Sequence, residues 1–163
     1  MKSVETLKDL DDASMESIQE IGSLEYFGKG EHIIRQFAEG DSMFIIIKGG
    51  VQTMEVHNKQ KKVMRSLGES AAFGLKAFLL GEPRRISVEV TSLSAWVLEI
   101  KRESFKSIMD AHPSILPDLT AILVKREESN AKKHAEINEK EHSHESIVDI
   151  ISSKIKELFK PKK

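Results

Sequence analysis

Turn-forming residues recur roughly every 8 to 12 positions across residues 24–100, and this spacing constrains the fold more than any other feature. Residues 43–47 are continuously apolar, which predicts a strand buried on both faces, whereas residues 51–57 alternate and predict a half-buried strand. The Gly49-Gly50 pair between these two runs predicts a hairpin turn. Further strands are predicted at residues 32–35, 85–91 and 95–100. Many short strands at this spacing are typical of an antiparallel sandwich or barrel.

An anion pocket is predicted within residues 67–90, LGESAAFGLKAFLLGEPRRISVEV. An apolar strand ends at Phe73-Gly74, a short helical run follows over residues 75–80, and a Gly-Glu-Pro turn leads to two arginines that open another strand. Glycine lets a ligand approach the backbone closely. The first N–H groups of a helix lack internal partners and attract an anion, which an arginine fork can also bind. We therefore expect this segment to bind a phosphate.

The same stretch resembles the phosphate-binding cassette of the cyclic nucleotide-binding domain family, which includes the bacterial catabolite activator and the kinase regulatory subunits. The family cassette has Phe-Gly-Glu, a small or apolar Ala-Leu run, a Gly-Glu-Pro-Arg turn and then Arg-Ser/Thr-Ala. Leu75 stands where the family has its ribose-binding glutamate. Ile86 stands where the family has a phosphate-binding Ser or Thr, and Ser87 replaces the Ala that follows.

The resemblance implies which residues would contact a ligand. We take Arg85 as the cassette arginine, and because side chains alternate between the two faces of a strand, we expect Arg85 to point inward and Arg84 to be solvated. The expected ligand-binding residues are Phe73, Gly74, Leu75, Lys76, Ala77, Arg85, Ile86 and Ser87. Backbone N–H groups at residues 74–77 and the Arg85 guanidinium would hold the phosphate of cAMP or cGMP.

Three further segments resemble family landmarks in the expected order: FAEGD at residues 37–41, FIIIKGGV at residues 44–51, and LEI with ESF within residues 98–105. The resemblance covers roughly residues 14–125. It implies a mainly β fold, an eight-stranded jelly roll with flanking helices. We expect a polar segment over residues 1–13, this domain over residues 14–125, and a charged spacer with an amphipathic helix over residues 126–163.

Helical patterns flank the strands. Residues 14–22 have apolar side chains at helical spacing, with Ser14 as the expected cap and Gly22 as the expected end of the helix. Residues 114–124 carry an apolar stripe, and in the family the helix at this place packs over the ligand and often makes the dimer. Residues 125–144 are almost wholly polar, which fits either a solvated helix or a flexible spacer. A second apolar stripe over residues 147–159 needs a partner surface, which would be the barrel, another copy or another protein.

Composition and motifs argue against several classes of function. The 163-residue chain has no cysteine, which excludes disulfides and thiolate metal sites, and its formal net charge of -1 gives no general attraction to nucleic acid or membranes. We expect no direct DNA binding, no membrane span and a cytoplasmic protein. The His-x-His pair His142/His144 lies in the charged tail, so we expect no cupin-like metal site and no cofactor. No nucleophile elbow, Walker loop or paired-acid motif is present, and we expect no enzyme.

Two functional hypotheses follow. The first is a regulatory sensor that binds cAMP or cGMP and passes the change to a partner through residues 125–159. The second is a degenerate domain in which Leu75 and Ile86 fill the site, and the apolar helical stripes form a homodimer or bind a protein partner.

Overall fold

The computed structural model describes residues 10–135 and 144–159. Its elements in chain order are α1 (Asp12–Ile21), β1 (Ser23–Gly28), β2 (His32–Ile34), β3 (Ser42–Lys48), β4 (Val51–His57), β5 (Gln60–Leu67), β6 (Ala72–Phe73), α2 (Leu75–Leu80), β7 (Ser87–Val90), β8 (Ser94–Lys101), α3 (Arg102–Lys106), α4 (Ile115–Ala135) and α5 (His144–Leu158).

The eight strands form two four-stranded antiparallel sheets, with the orders β1-β8-β3-β6 and β2-β7-β4-β5. This architecture confirms the predicted jelly roll with flanking helices. The prediction of a hairpin at Gly49-Gly50 is wrong, because β3 pairs with β6 and β8 whereas β4 pairs with β5 and β7. The chain instead crosses there from one sheet to the other. Gly49 has a φ of 102°, and a Cβ on it would lie 2.5 Å from the carbonyl oxygen of Ser94, so the crossing requires glycine.

Strand β3 is buried on both faces over most of its length, as its apolar run predicts. Met43 and Ile45 pack toward the helices, while Phe44 and Ile46 pack between the two sheets. The helical cluster comprises Leu10, Ile18, Met43, Ile45, Ala72, Leu75, Phe78, Leu79, Leu98, Ile100, Phe105, Ile115, Leu119, Ile122, Leu123, Ile151, Ile155 and Phe159. The barrel cluster comprises Ile34, Phe44, Ile46, Val51, Leu67, Ala71, Phe73, Val88, Val90, Ala95 and Val97. The first sheet therefore separates two hydrophobic cores, with the helical cluster on one face and the barrel cluster on the other.

Helix α1 begins two residues earlier than predicted. The cap is Asp11, whose side chain accepts a hydrogen bond from the Ser14 backbone N–H at 2.7 Å, so the prediction that Ser14 caps the helix is wrong. This hydrogen bond lowers the pKa of Asp11. Gly22 follows the last residue of the helix, as expected, and its N–H donates to the Ile18 carbonyl at 3.1 Å.

The C-terminal helices pack against the barrel. Helix α4 continues to Ala135, so the first part of the polar stretch is helical, whereas residues 136–143 lie outside the described residues. Helix α5 contacts both α2 and α4. Ile151, Ile155 and Phe159 are buried in the helical cluster. The second apolar stripe therefore has its partner surface within the chain itself, on the helices and the barrel.

In the part of the chain that the structure describes, no helix is long and apolar enough to cross a membrane.

Candidate functional site

Gly74 joins β6 to α2 and shapes the start of the cassette. It has a φ of 79° in the left-handed region, and its carbonyl oxygen accepts hydrogen bonds from the Phe78 N–H at 3.2 Å and from Arg84 Nη1 at 3.0 Å. A Cβ at this position would lie 2.7 Å from Arg84 Nη1. Both the backbone conformation and the close approach of the arginine therefore require glycine.

Arg84 is the buried arginine of the cassette, with only 7% of its surface exposed. Besides its bond to Gly74, its Nη2 donates to the carbonyl oxygen of Ser42 at 2.7 Å, and its Cζ lies 5.9 Å from the centre of the Phe44 ring. Burial lowers the pKa of Arg84, while the negative charges of Asp41 and Glu99 oppose that change. The guanidinium thus links β3 to the beginning of α2.

The prediction that Arg85 points inward and Arg84 is solvated is wrong, because Arg85 is exposed and Arg84 is buried. Strand β7 begins only at Ser87, so both arginines lie in the loop of residues 81–86. Alternation between strand faces does not apply to a loop. With Arg84 taken as the cassette arginine, Arg85 and Ile86 occupy the positions that follow it.

Leu75 and Ile86 do not fill one common site. Leu75 is 1% exposed and belongs to the helical cluster, whereas Ile86 is partly buried and packs against the barrel cluster. The Ser87 side chain has a structural contact, because its Oγ accepts a hydrogen bond from the Gln36 N–H at 2.9 Å. Leu75 and Ile86 therefore pack against different cores, and the second hypothesis stays a prediction.

The other predicted site residues surround the start of α2. Phe73 is buried and stacks on Phe44, with ring centres 5.2 Å apart and an interplanar angle of 12°. Ala77 is buried, and Lys76 is partly buried and forms an ion pair with Glu127 of α4. The cassette is thus connected to the first C-terminal helix by a charged pair.

Arg102 is a structural residue of the cassette that the sequence did not reveal. Its Nε donates to the Phe78 carbonyl at 2.8 Å, and its Nη2 donates to the carbonyls of Ala77 at 2.9 Å and Gly40 at 3.3 Å. The Phe78 carbonyl lies in the last turn of α2, where a helix leaves carbonyls without internal partners, and the Ala77 carbonyl also accepts from the Gly81 N–H at 2.9 Å. Burial lowers the pKa of Arg102, opposed chiefly by the charge of Asp41. No local signal pairs a residue of α3 with residues about 25 positions earlier.

Arg126 of α4 is a partly buried cation beside the barrel. Its Nη2 donates to the Ala72 carbonyl at 3.3 Å. Burial, followed by repulsion from Arg65, lowers the pKa of Arg126 to about 10. At neutral pH the group therefore stays charged, next to the strand that leads into Gly74.

An open cavity of about 510 Å³ lies where β7 separates from β4. The paired region ends at Met54 and Ser87, and beyond it the Gln36 side chain bridges to β4, accepting from the Val56 N–H at 2.8 Å and donating to its carbonyl at 3.3 Å. The cavity is lined by Gln36, Phe37, Glu55, Glu82, Pro83, Arg84 and Arg85. A second cavity of about 280 Å³ is lined by Glu55, His57 and Lys62. Glu55 therefore lines both cavities.

Helix α5 packs directly on the cassette. The Phe159 ring centre lies 6.0 Å from that of Phe78 in α2, and Lys154 forms an ion pair with Glu82 in the loop that follows α2. Burial would raise the pKa of Glu82, but the hydrogen bond and charge of Lys154, with the charges of Lys76 and Arg85, hold it below its ordinary value. The described residues contain no group of three or more side chains that could hold a metal ion.

The family profile described as "Cyclic nucleotide-binding domain" matches residues 24–112, which include all eight strands of the barrel except the first residue of β1. The chain belongs to the cyclic nucleotide-binding domain family.

The chain is also similar in sequence and in structure to individual proteins. The chain is 28% identical over 138 residues to cGMP-dependent protein kinase 2 of Homo sapiens, a match that covers 83% of this chain and 18% of the kinase. It is similar to the structure of the Thermus thermophilus catabolite activator protein, with a TM-score of 0.71 and 20% identity over 78% of this chain and 60% of that one. It also resembles a structure described as Sp-2Cl-cAMPS bound to PKAR CBD2, with a TM-score of 0.63 and 26% identity over 86% of this chain and 88% of that one.

Proposed function

We propose that the chain is a regulatory module of the cytoplasm that binds a cyclic nucleotide, cAMP or cGMP, in the cavity beside Gly74 and Arg84. The observation that carries the proposal is the position of Arg84, which is held by the carbonyls of Gly74 and Ser42 next to the beginning of α2. These two bonds use two of the five N–H donors of a guanidinium, which leaves three from which a phosphate would accept. Arg84 thus takes the role expected of Arg85.

The absence of a carboxylate at Leu75 lowers the expected affinity. A hydrogen bond to a charged group contributes about 1.5–3 kcal/mol, which corresponds to roughly ten- to a hundredfold in the dissociation constant. Arg84, Gly74 and the first residues of α2 are the parts of the cassette that would bind the phosphate, and the chain retains them. We therefore expect micromolar rather than nanomolar binding.

The output of the module runs through α4 and α5. Lys76 of α2 pairs with Glu127 of α4, and Glu82 pairs with Lys154 of α5. A ligand that favours one position of α2 over another would shift both helices with it. A partner protein that binds these helices would then sense the ligand.

Calorimetric titration tests the proposal. The full chain is titrated with the 3′,5′-cyclic monophosphates of adenosine, guanosine, cytidine and uridine, and with non-cyclic AMP and GMP as controls. We expect micromolar binding of cAMP or cGMP at one site per chain, and at least a tenfold loss in Arg84→Lys, which keeps the charge but not the planar fork. No heat and no competition at millimolar ligand would refute nucleotide binding.

A second candidate function, a partner-interaction or dimerisation module, is favoured by exposed apolar side chains on the first sheet. Tyr26 and Trp96 are directly opposed on β1 and β8 with ring centres 4.9 Å apart, and they are 57% and 39% exposed. Light scattering of the full chain and of Tyr26→Lys tests it. A dimeric mass that the substitution reduces to that of a monomer would support self-association, and a monomeric mass in both would exclude it.

A further inference from the structure

We propose that Glu55 accepts a hydrogen bond from the ribose 2′-hydroxyl of the bound cyclic nucleotide and so replaces the carboxylate that is absent at Leu75. This inference rests on the nucleotide binding proposed above. It assigns a ligand contact to a β4 residue that lies outside the cassette.

The register of the second sheet places Glu55 beside the arginine loop. Strand β4 pairs with β7 as far as Met54 and Ser87, and Glu55 is the next residue along β4. Neighbouring strands lie about 4.8 Å apart, so the backbone of Glu55 is close to the loop of residues 81–86 where that loop leaves the sheet. Glu55 and Arg84 accordingly line the same cavity.

Glu55 is also the carboxylate in this lining that is available to a ligand. The Gln36 amide is engaged by the backbone of Val56, and Glu82 is paired with Lys154. The side chain of Glu55 is partly buried, and within residues 10–135 and 144–159 its carboxylate makes no hydrogen bond or ion pair, whereas its backbone pairs with Lys62 of β5. A partly buried carboxylate without a partner gains most from a donor that the ligand brings.

The chemistry of the nucleotide matches this arrangement. An ionised carboxylate only accepts hydrogen bonds, and a phosphate likewise offers acceptors, so the phosphate belongs at Arg84 and Glu55 needs a donor. The ribose 2′-hydroxyl is a donor close to the cyclic phosphate. Leu75 provides no acceptor and packs in the helical cluster, away from the cavity lining. The exposed Arg85 guanidinium in the same lining offsets repulsion between Glu55 and the phosphate.

The test compares ribose and 2′-deoxyribose ligands in matched variants. Dissociation constants for cAMP, cGMP and their 2′-deoxy analogues are measured on the full chain, on Glu55→Leu, on the isosteric Glu55→Gln, and on Glu69→Leu, which removes an exposed carboxylate of equal charge. In the wild type the 2′-deoxy analogue should bind about ten- to a hundredfold more weakly. In Glu55→Leu the ratio should fall to within about twofold, in Glu55→Gln it should fall several-fold, and in Glu69→Leu it should remain as in the wild type.

The outcomes separate this inference from the function on which it rests. If the wild type binds the ribose and 2′-deoxy ligands equally well, or if both Glu55 variants keep the wild-type ratio, nucleotide binding stands and the role of Glu55 is refuted. If the wild type binds none of the ligands, both proposals fall. A thermal melting curve for each variant establishes that the compared proteins are folded, and Glu55→Gln decides the matter if Glu55→Leu does not fold.

Discussion

Replacing Arg84 by alanine should cost far more stability than replacing its neighbour Arg85. Arg84→Ala removes two hydrogen bonds from a charged donor and leaves the carbonyls of Gly74 and Ser42 without that partner. Each such bond contributes about 1.5–3 kcal/mol, and entry of water to the carbonyls recovers part of the loss, so the expected decrease in the free energy of unfolding is about 2–5 kcal/mol. Arg85 is exposed and makes no hydrogen bond or ion pair within the described residues, so Arg85→Ala should change it by less than about 0.5 kcal/mol.

Urea unfolding without ligand, followed by circular dichroism, measures both values. The slope m should be the same in the wild type and the two variants, because a change in m would signal a different unfolded or native state. Arg84→Lys should fall between the wild type and Arg84→Ala, since an ammonium can satisfy one carbonyl but not both in the fork geometry. Equal losses in the two alanine variants, or a larger loss in Arg85→Ala, would show that the assignment of the buried arginine is incorrect.

Three further results are expected. Phe159→Ala should lower the free energy of unfolding by about 3 kcal/mol because the buried ring packs on two other phenylalanines, and Phe159→Leu should lower it by less. Calorimetric melting curves in which both variants match the wild type would contradict the docking of α5. In urea unfolding, Gly74→Ala should lower the free energy of unfolding more than Gly30→Ala does. Both glycines have a positive φ, but of these two only Gly74 would place a Cβ against an arginine nitrogen, so equal losses would argue against that contact. The difference in free energy of unfolding between the wild type and Lys154→Gln should be fully present above the unfolded-state pKa of Glu82, which is near 4.5. The difference should shrink as the pH falls through the lower folded-state pKa of Glu82. A difference that is the same at pH 7 and pH 3 would refute this linkage.

The elements of the cassette were predictable because their signals are local. Phe73 ends β6, Gly74 precedes α2, and Gly81 ends that helix with a φ of 70°, each where the sequence placed the boundary. The strand pattern predicted an antiparallel sandwich or barrel, and the resemblance to the family implied the jelly roll that the structure confirms. These features depend on backbone conformation within a few residues, which glycine and apolar spacing determine directly.

The orientation of the two arginines was not predictable from the same signals. Alternation assigns opposite faces only inside a strand, and β7 begins at Ser87, after both arginines. The choice of Arg85 as the inward arginine came from the register of the family resemblance, and a shift of that register by one residue exchanges the roles of Arg84 and Arg85. The position of Leu75 posed a different difficulty, because it is buried among residues as distant in sequence as Ile18 and Ile155.

The way α2 is held has a consequence for the order of folding. A six-residue helix is too short to persist alone in water, and its two ends are bonded by Arg84 and Arg102, while Phe159 covers part of its surface. All three partners follow the helix in the chain, and the last is synthesised about 80 residues after it. Each of these contacts closes a loop of the chain, and the favourable energy of the contacts must offset the entropy lost in closing those loops before the helix is stable. On the ribosome, the cassette of residues 73–86 should therefore be among the last parts of the barrel to become ordered.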